Sequence, residues 1–265
     1  MFFDVRASLL HACLAAAILS AAAPQAPADA GGAPVDEAAL YAPYDALLSR
    51  YVHGGVVRYR ALSQSPEDAA RLSAFVDALE ARDPADWPRE AAFAYWINLY
   101  NAATLELVLA HYPVKSIRDI GGEKDAWSRP VVSVAGKPLT LNQIEHEIVR
   151  PRFRDPRVHF ALNCASLGCP PLRDRAFRGA DLDSALDAVT AAALADPRWL
   201  AIGEREVRLT RVFEWFREDF EQDGGSVESF LAPHRAAAAA ALAGGGCAIA
   251  YLDWDWALNE AGAGK

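Results

Sequence analysis

From Pro88 to Pro113 the chain reads PREAAFAYWINLYNAATLELVLAHYP, and this stretch limits the fold more than any other. Pro88 suits a first helical position, where its missing N–H costs nothing, and Glu90 complements the positive end of a helix. Phe93, Trp96, Ile97, Tyr100, Thr104, Leu107 and Val108 recur at helical spacing and make one wide apolar face. His111 falls in the last turn and Pro113 stops the helix. The spacing therefore predicts a buried helix over 88–111, which other elements have to surround.

Those elements are legible in outline. Helical patterns cover 37–51, 66–82, 141–150, 182–196 and 211–220, and an Ala-rich helix fits 232–243. Thr140 and Gln143 form a capping-box pair for the helix over 141–150, and Pro151 stops it. Tyr51 to Tyr59 reads as a turn into a short extended piece. Val131–Val134 and Lys137–Leu139 flank Ala135-Gly136 and predict a hairpin. Strands are expected at Val158–Asn163, Glu206–Thr210 and Cys247–Leu252. Helices outnumber strands, and the two do not alternate regularly. The expected fold is α+β, a mainly helical single domain over 37–260 around a small mixed or antiparallel sheet. Residues 261–265 are read as a tail.

Hydrophobic residues make up 52% of the chain, enough to bury a core. A net charge of −9 without any dense Lys/Arg run argues against nucleic acid as a partner. Residues 1–23 have the pattern of a secretory signal: Arg6 near the start, an apolar run from Ser8, and small residues at Ala21–Ala23. Residues 24–36 are rich in Ala, Pro and Gly and read as a flexible linker. The expected location is periplasmic or secreted. No later segment is long enough to span a bilayer, so no membrane association is expected once the leader is cleaved. Beyond the leader stand three cysteines, Cys164, Cys169 and Cys247. An odd count in an oxidising compartment suggests one disulfide and one buried thiol.

The densest run of chemistry is LNQIEHEIVRPRFRDPRVHFALNCASLGCPPLR, from Leu141 to Arg173. In an α-helix Glu145 falls about 40° from Leu141, so its carboxylate borders the apolar face and needs a partner. That partner is either a nearby arginine, in a structural ion pair, or a reacting group. His146 and Arg150 share another face at i, i+4. On an extended strand His159 would lie about 16 Å from Cys164, too far to act as its base. His146 is then the better candidate, and His159 a half-buried sheet residue. Cys164 and the small residues after it could form a nucleophile beside free backbone amides. They could equally close a Cys164–Cys169 disulfide loop. The spacing is wider than common zinc knuckles and no second Cys pair exists, so no metal or cofactor is assigned. Asn98 and Asn101, at i, i+3, brace neighbouring backbone or bind a ligand. Tyr251 to Asn259 either closes the core, with Asp255 accepting hydrogen bonds, or lends its aromatics to a ligand cleft.

Three blocks give the chain a resemblance to the family called domain of unknown function 547. They are Ala94-Tyr95-Trp96-Ile97-Asn98-Leu99-Tyr100-Asn101-Ala102, Leu141 to Pro171, and Asp255-Trp256-Ala257-Leu258-Asn259. The resemblance runs over about residues 40–260. It implies a recurring set of residues (Asn98, Asn101, Glu145, His146, His159, Asn163, Cys164 and Cys169), frequent export among bacterial members, and no established reaction.

Two hypotheses of different class follow. The first is a thiol-dependent acyl transferase or hydrolase of peptide or amide substrates. In it Cys164 is the nucleophile, His146 the base, and Glu145 or Asn163 orients that base. The second is a non-catalytic binding or structural module with a Cys164–Cys169 disulfide. In either case Asn98, Asn101, His159, Ser166 and Cys169 are candidate binding residues, and the partner is an unidentified peptide or small molecule.

Overall fold

A computed structural model describes residues 35–121 and 125–262. The expected leader over 1–23, residues 24–34 of the expected linker and residues 263–265 of the tail lie outside them.

The chain opens with α1 (Glu37–Tyr51), whose first turn is capped by the Asp36 side chain. A short hairpin of β1 (Val52–His53) and β2 (Val56–Val57) turns through Gly54 and Gly55. Next come α2 (Tyr59–Ser63), α3 (Pro66–Glu80) and α4 (Arg89–His111). A second hairpin joins β3 (Pro130–Val134) to β4 (Lys137–Thr140). Ala135 and Gly136 at its tip both have positive φ, as a tight hairpin turn requires. A π-helix over Gln143–Val149 runs into α5 (Arg150–Phe153). Beyond the disulfide loop lie α6 (Leu182–Ala195), β5 (Leu200–Ile202) and β6 (Glu206–Leu209). The chain continues through α7 (Val212–Trp215), α8 (Arg217–Glu221), α9 (Val227–His234), α10 (Ala236–Ala243) and β7 (Ala248–Tyr251). β6 is the centre of a mixed three-stranded sheet, antiparallel to β5 and parallel to β7. The fold is α+β and mainly helical, as expected.

Two apolar cores form. The larger surrounds α4, which is buried on nearly every side from Ala91 to Thr104 and packs against α2, α3, β3 and the π-helix. The smaller gathers Leu194, Val207, Leu209, Phe213, Phe220 and Leu231 from the second half of the chain. The segment 158–163 joins them, for Val158, Ala161 and Leu162 belong to the first core and Phe160 to the second.

That segment is not a strand. Pro156–Phe160 is a 3-10 turn, because Asp155 caps it through the Arg157 amide and Pro156 pre-sets its first dihedral. Alternating burial is lost with the strand, and all six side chains from Val158 to Asn163 are buried. The helix over 141–150 also differs. Its expected capping box forms, with the Gln143 amide donating to Thr140 Oγ1 at 3.0 Å and the Thr140 amide to Gln143 Oε1 at 3.2 Å. It then widens, and the Arg150 amide donates five residues back, to the Glu145 carbonyl. Because a π turn already breaks the four-residue ladder, Pro151 is tolerated and the helix runs on to Phe153. The expected helix over 211–220 breaks at Phe216, and the Ala-rich one extends back as α9 across a break at Arg235. Cys247, expected to be a buried thiol, is free and only half-buried.

A C-terminal strap closes the fold. The Leu167 and Gly168 amides donate to the carbonyls of Ala257 and Asp255, and the Asn259 amide donates to Ala165. The Asn259 side chain accepts from Tyr59 Oη at 3.1 Å and donates to Asn163 Oδ1 at 3.0 Å. At Gly168 a Cβ would stand 2.8 Å from Trp254 Cδ2 and 2.9 Å from the Asp255 amide, so only glycine lets strap and loop approach this closely.

Candidate functional site

A cleft of about 200 Å³ opens where the two cores meet. One side comes from Tyr100 on α4, Trp127, Asn142 and the π-helix residues Glu145 and His146. The other side comes from Val212, Trp215 and Phe216 and from Trp254 and Trp256 of the strap. His159, Leu162, Cys164, Cys169 and Pro170 complete it. The tryptophans pack on one another: Trp215 lies 4.7 Å from Trp254, and Trp127 meets Trp256 edge-on at 6.0 Å between ring centres.

The polar groups are held from beneath. His159 Nε2 lies 2.7 Å from Asp219 Oδ2, and the His159 ring stacks on Phe216 at 4.0 Å. Arg150 reaches Asp219 with Nε at 2.6 Å and Nη2 at 3.0 Å, a bidentate pair, and Glu218 at 2.6 Å. Its guanidinium lies over the other partner of the set, the Phe216 ring, 5.0 Å from the centroid. The break between α7 and α8 is what lets Phe216 insert there. Burial pushes the Asp219 carboxyl up, but His159 and Arg150 outweigh it and hold it well below the usual carboxylate range. Tyr100 Oη donates to Glu145 Oε2 at 3.2 Å. Burial, then the charge of Glu145, raise the Tyr100 hydroxyl well above its ordinary value, so it remains a donor.

Cys164 and Cys169 are joined by a disulfide, their Cα atoms 6.1 Å apart. Five of the six amides in the loop they close are already engaged. The Cys164 amide donates to Cys169 Sγ, the Ala165 amide to Asn163 Oδ1 and the Cys169 amide to Ser166. With the amides of Leu167 and Gly168 engaged by the strap, these groups are not free to receive an oxyanion.

Several expectations of residue role change accordingly. Cys164 lines the cleft, but as a disulfide sulfur rather than a thiol. His146 lines it too, exposed, with Nδ1 3.2 Å from Arg150 Nη1. The orienting role expected for Asn163 does not hold, because its Oδ1 accepts from Ala165 and Asn259 while its Nδ2 donates to the Pro170 carbonyl. Asn98 and Asn101 are braces away from the cleft. Asn98 exchanges both its bonds with Phe177, and Asn101 ties Ala161 to Asn163. Glu145 pairs with a tyrosine instead of an arginine. Ser166 is buried behind the wall, accepting from Trp254 Nε1 at 3.1 Å. His159 is a fully buried turn residue at the centre of the polar set rather than a half-buried sheet residue.

Asp219, Phe216, Trp127 and Trp215 were not foreseen as site residues. Trp215, Phe216 and Asp219 carry only an ordinary amphipathic pattern, which assigns burial and not function, and Trp127 falls outside every expected element. Among the described residues no cluster of three or more His, Cys, Asp or Glu could hold a metal ion. No helix of the described residues is long and apolar enough to cross a membrane.

Residues 84–192 match the family described as "Protein of unknown function, DUF547". That span contains α4, the hairpin, the π-helix and the disulfide loop, and it is narrower than the resemblance over about 40–260. Trp215, Phe216, Asp219, Trp254 and Trp256 lie beyond it. No curated protein and no solved structure matches the chain.

Proposed function

We propose that this domain is a non-catalytic ligand-binding module that works outside the cytoplasm and takes a small molecule or a peptide side chain into its aromatic cleft. The cleft itself carries the reading. Its wall holds four tryptophans, Tyr100 and Phe216 around a few convergent polar groups, the usual composition of a pocket that binds by stacking and desolvation. A cysteine paired to its neighbour has no thiolate with which to attack a carbonyl, and the engaged amides point the same way. A disulfide fits an oxidising compartment, and the tripartite pattern of residues 1–23 fits export to one.

The test is a ligand screen read by tryptophan fluorescence and thermal shift, repeated on Trp215→Ala. Trp215 is 45% exposed, so its removal should spare the fold. A true cleft ligand should bind the variant about tenfold or more weakly, as loss of an aromatic anchor does. Equal binding by both proteins moves the site elsewhere. Fractionation of producing cells checks export, and a cytoplasmic, uncleaved chain would refute it.

One observation supports a second reading. Cys164, Glu145, His146 and His159 line the same cleft, so reduction would leave a thiol among an acid and two imidazoles. On that thiol-dependent acyl transferase or hydrolase reading, reduced native protein is alkylated at Cys164 faster than a simple thiol. An ordinary rate ends it.

A further inference from the structure

Among the described residues that line the cleft, Glu145 is the single acid, and none is a lysine or arginine. The Glu145 side chain is 12% exposed. Among the described residues it accepts one hydrogen bond, from Tyr100, of the roughly four a carboxylate can take. The nearest basic atom is His159 Nδ1, 4.0 Å from Oε1. His159 commits its other nitrogen to Asp219, and since a carboxylate only accepts, Nε2 carries the proton. In the neutral ring Nδ1 then presents a lone pair on the Glu145 side. Two acceptors 4.0 Å apart can both receive from one nitrogen about 2.8 Å from each, with about 90° between the two bonds. Two N–H bonds of an ammonium group, about 109° apart, reach both with modestly bent hydrogen bonds. Arg150, on the same helical run, is already spent on Asp219 and Glu218.

We propose that the cleft recognises a primary alkylammonium group, as carried by a lysine side chain or a free alkylamine. Its nitrogen sits between Glu145 Oε1 and His159 Nδ1, and its methylenes lie against the tryptophans. This rests on the binding reading above and narrows it. The tryptophan faces add attraction for any cation. The paired acceptors select the kind of cation, because a quaternary ammonium has no N–H to donate and an alcohol has neither the charge nor a second donor.

The experiment titrates the full oxidised chain with pentylamine, pentanol and pentyltrimethylammonium, read by tryptophan fluorescence. Pentylamine should bind about tenfold or more tightly than either analogue, the size of a charge-assisted hydrogen bond. Glu145→Gln, checked for an unchanged unfolding temperature, should lose that preference. The wild-type comparison needs no variant, so it decides the matter even if the glutamine disturbs folding. Nα-acetyl-lysine methylamide separates the two sources: tighter binding than pentylamine favours a peptide lysine, weaker binding a free amine. If the three pentyl probes bind alike, or Glu145→Gln keeps the preference, the ammonium site is refuted while the cleft remains a binding site. If Trp215→Ala changes the binding of no ligand at all, the broader reading falls with it.

Discussion

Reducing the Cys164–Cys169 bond should weaken the domain without unfolding it. The two cysteines are five residues apart, so the bond closes a loop of about six residues. Chain-entropy bookkeeping for a loop this short gives about 2 kcal/mol at room temperature, near the low end of what disulfides contribute. The loop is held independently of the bond: Leu167, Gly168 and Ala165 exchange backbone hydrogen bonds with the strap, and Asn163 caps its start. Breaking the bond therefore leaves the native arrangement bonded and mainly frees the unfolded chain. For a domain of this size about 2 kcal/mol lowers the unfolding temperature by roughly 4–8 °C. Thermal unfolding followed by circular dichroism, with and without a phosphine reductant and on a Cys164→Ser, Cys169→Ser chain, measures it. Reduced and double-serine proteins should agree. An unchanged unfolding temperature, or alkylation of native Cys164 and Cys169 without reductant, would refute the bond and the reasoning built on it.

Three further outcomes follow from the same geometry. Gly168→Ala places a methyl group 2.8 Å from the Trp254 ring, so it should cost about 1–3 kcal/mol and shift the tryptophan emission; unaltered emission would contradict the close approach. Asn259→Ala strands the Tyr59 hydroxyl in the core, removes one of the two bonds to Asn163 Oδ1, and should cost about 2 kcal/mol in denaturant titration, whereas Asn98→Ala should do so through Phe177 with no effect on cleft ligands. Acid should destabilise the fold through Asp68, whose hydrogen bond from Tyr51, with Arg50 and Arg71 overcoming the effect of burial, lowers its pKa to about 2. Since the unfolded carboxyl titrates near 3.9, the unfolded chain binds more protons in between, and this contribution is complete above about pH 4 and fades as pH falls toward 2. Asp68→Asn should flatten the stability profile in that window, and an unchanged profile would count against the Tyr51 bond.

Local rules read much of the fold correctly. The helix over Arg89–His111, the Ala135-Gly136 hairpin and the Thr140–Gln143 cap follow from periodicity, turn preference and capping, all decided within a few residues. Val158–Asn163 was misread for an equally local reason. Its alternation suggested a strand, but Asp155-Pro156 starts a turn, and a segment buried from both sides leaves no polar face to reveal the error. The π-helix was beyond reach because one extra residue in a turn changes hydrogen bonding but not composition. Glu145, His146 and Cys164 were recognised as unusual, and the structure brings them to one cleft. What joins them there is long-range. Asp219 is 60 residues from His159, and the strap that supplies Trp254 and Trp256 returns from the far end of the chain.

The same distribution explains why the cleft sits where it does. A seam between two apolar cores is the one place where polar groups from both can be sheltered without being sealed. Arg150 spans it from the first core to Asp219 and Glu218 of the second, and Phe216 fills the space between the guanidinium and the His159 ring. Isolated burial of a carboxylate and a guanidinium would cost several kcal/mol each; paired, bidentate and stacked, they offset most of it. The balance leaves His159 fixed by Asp219 on one edge and open toward Glu145 on the other, with no protein cation to fill the gap among the described residues. On the binding reading, that edge of His159, beside the tryptophans, is where the donor of a ligand would enter.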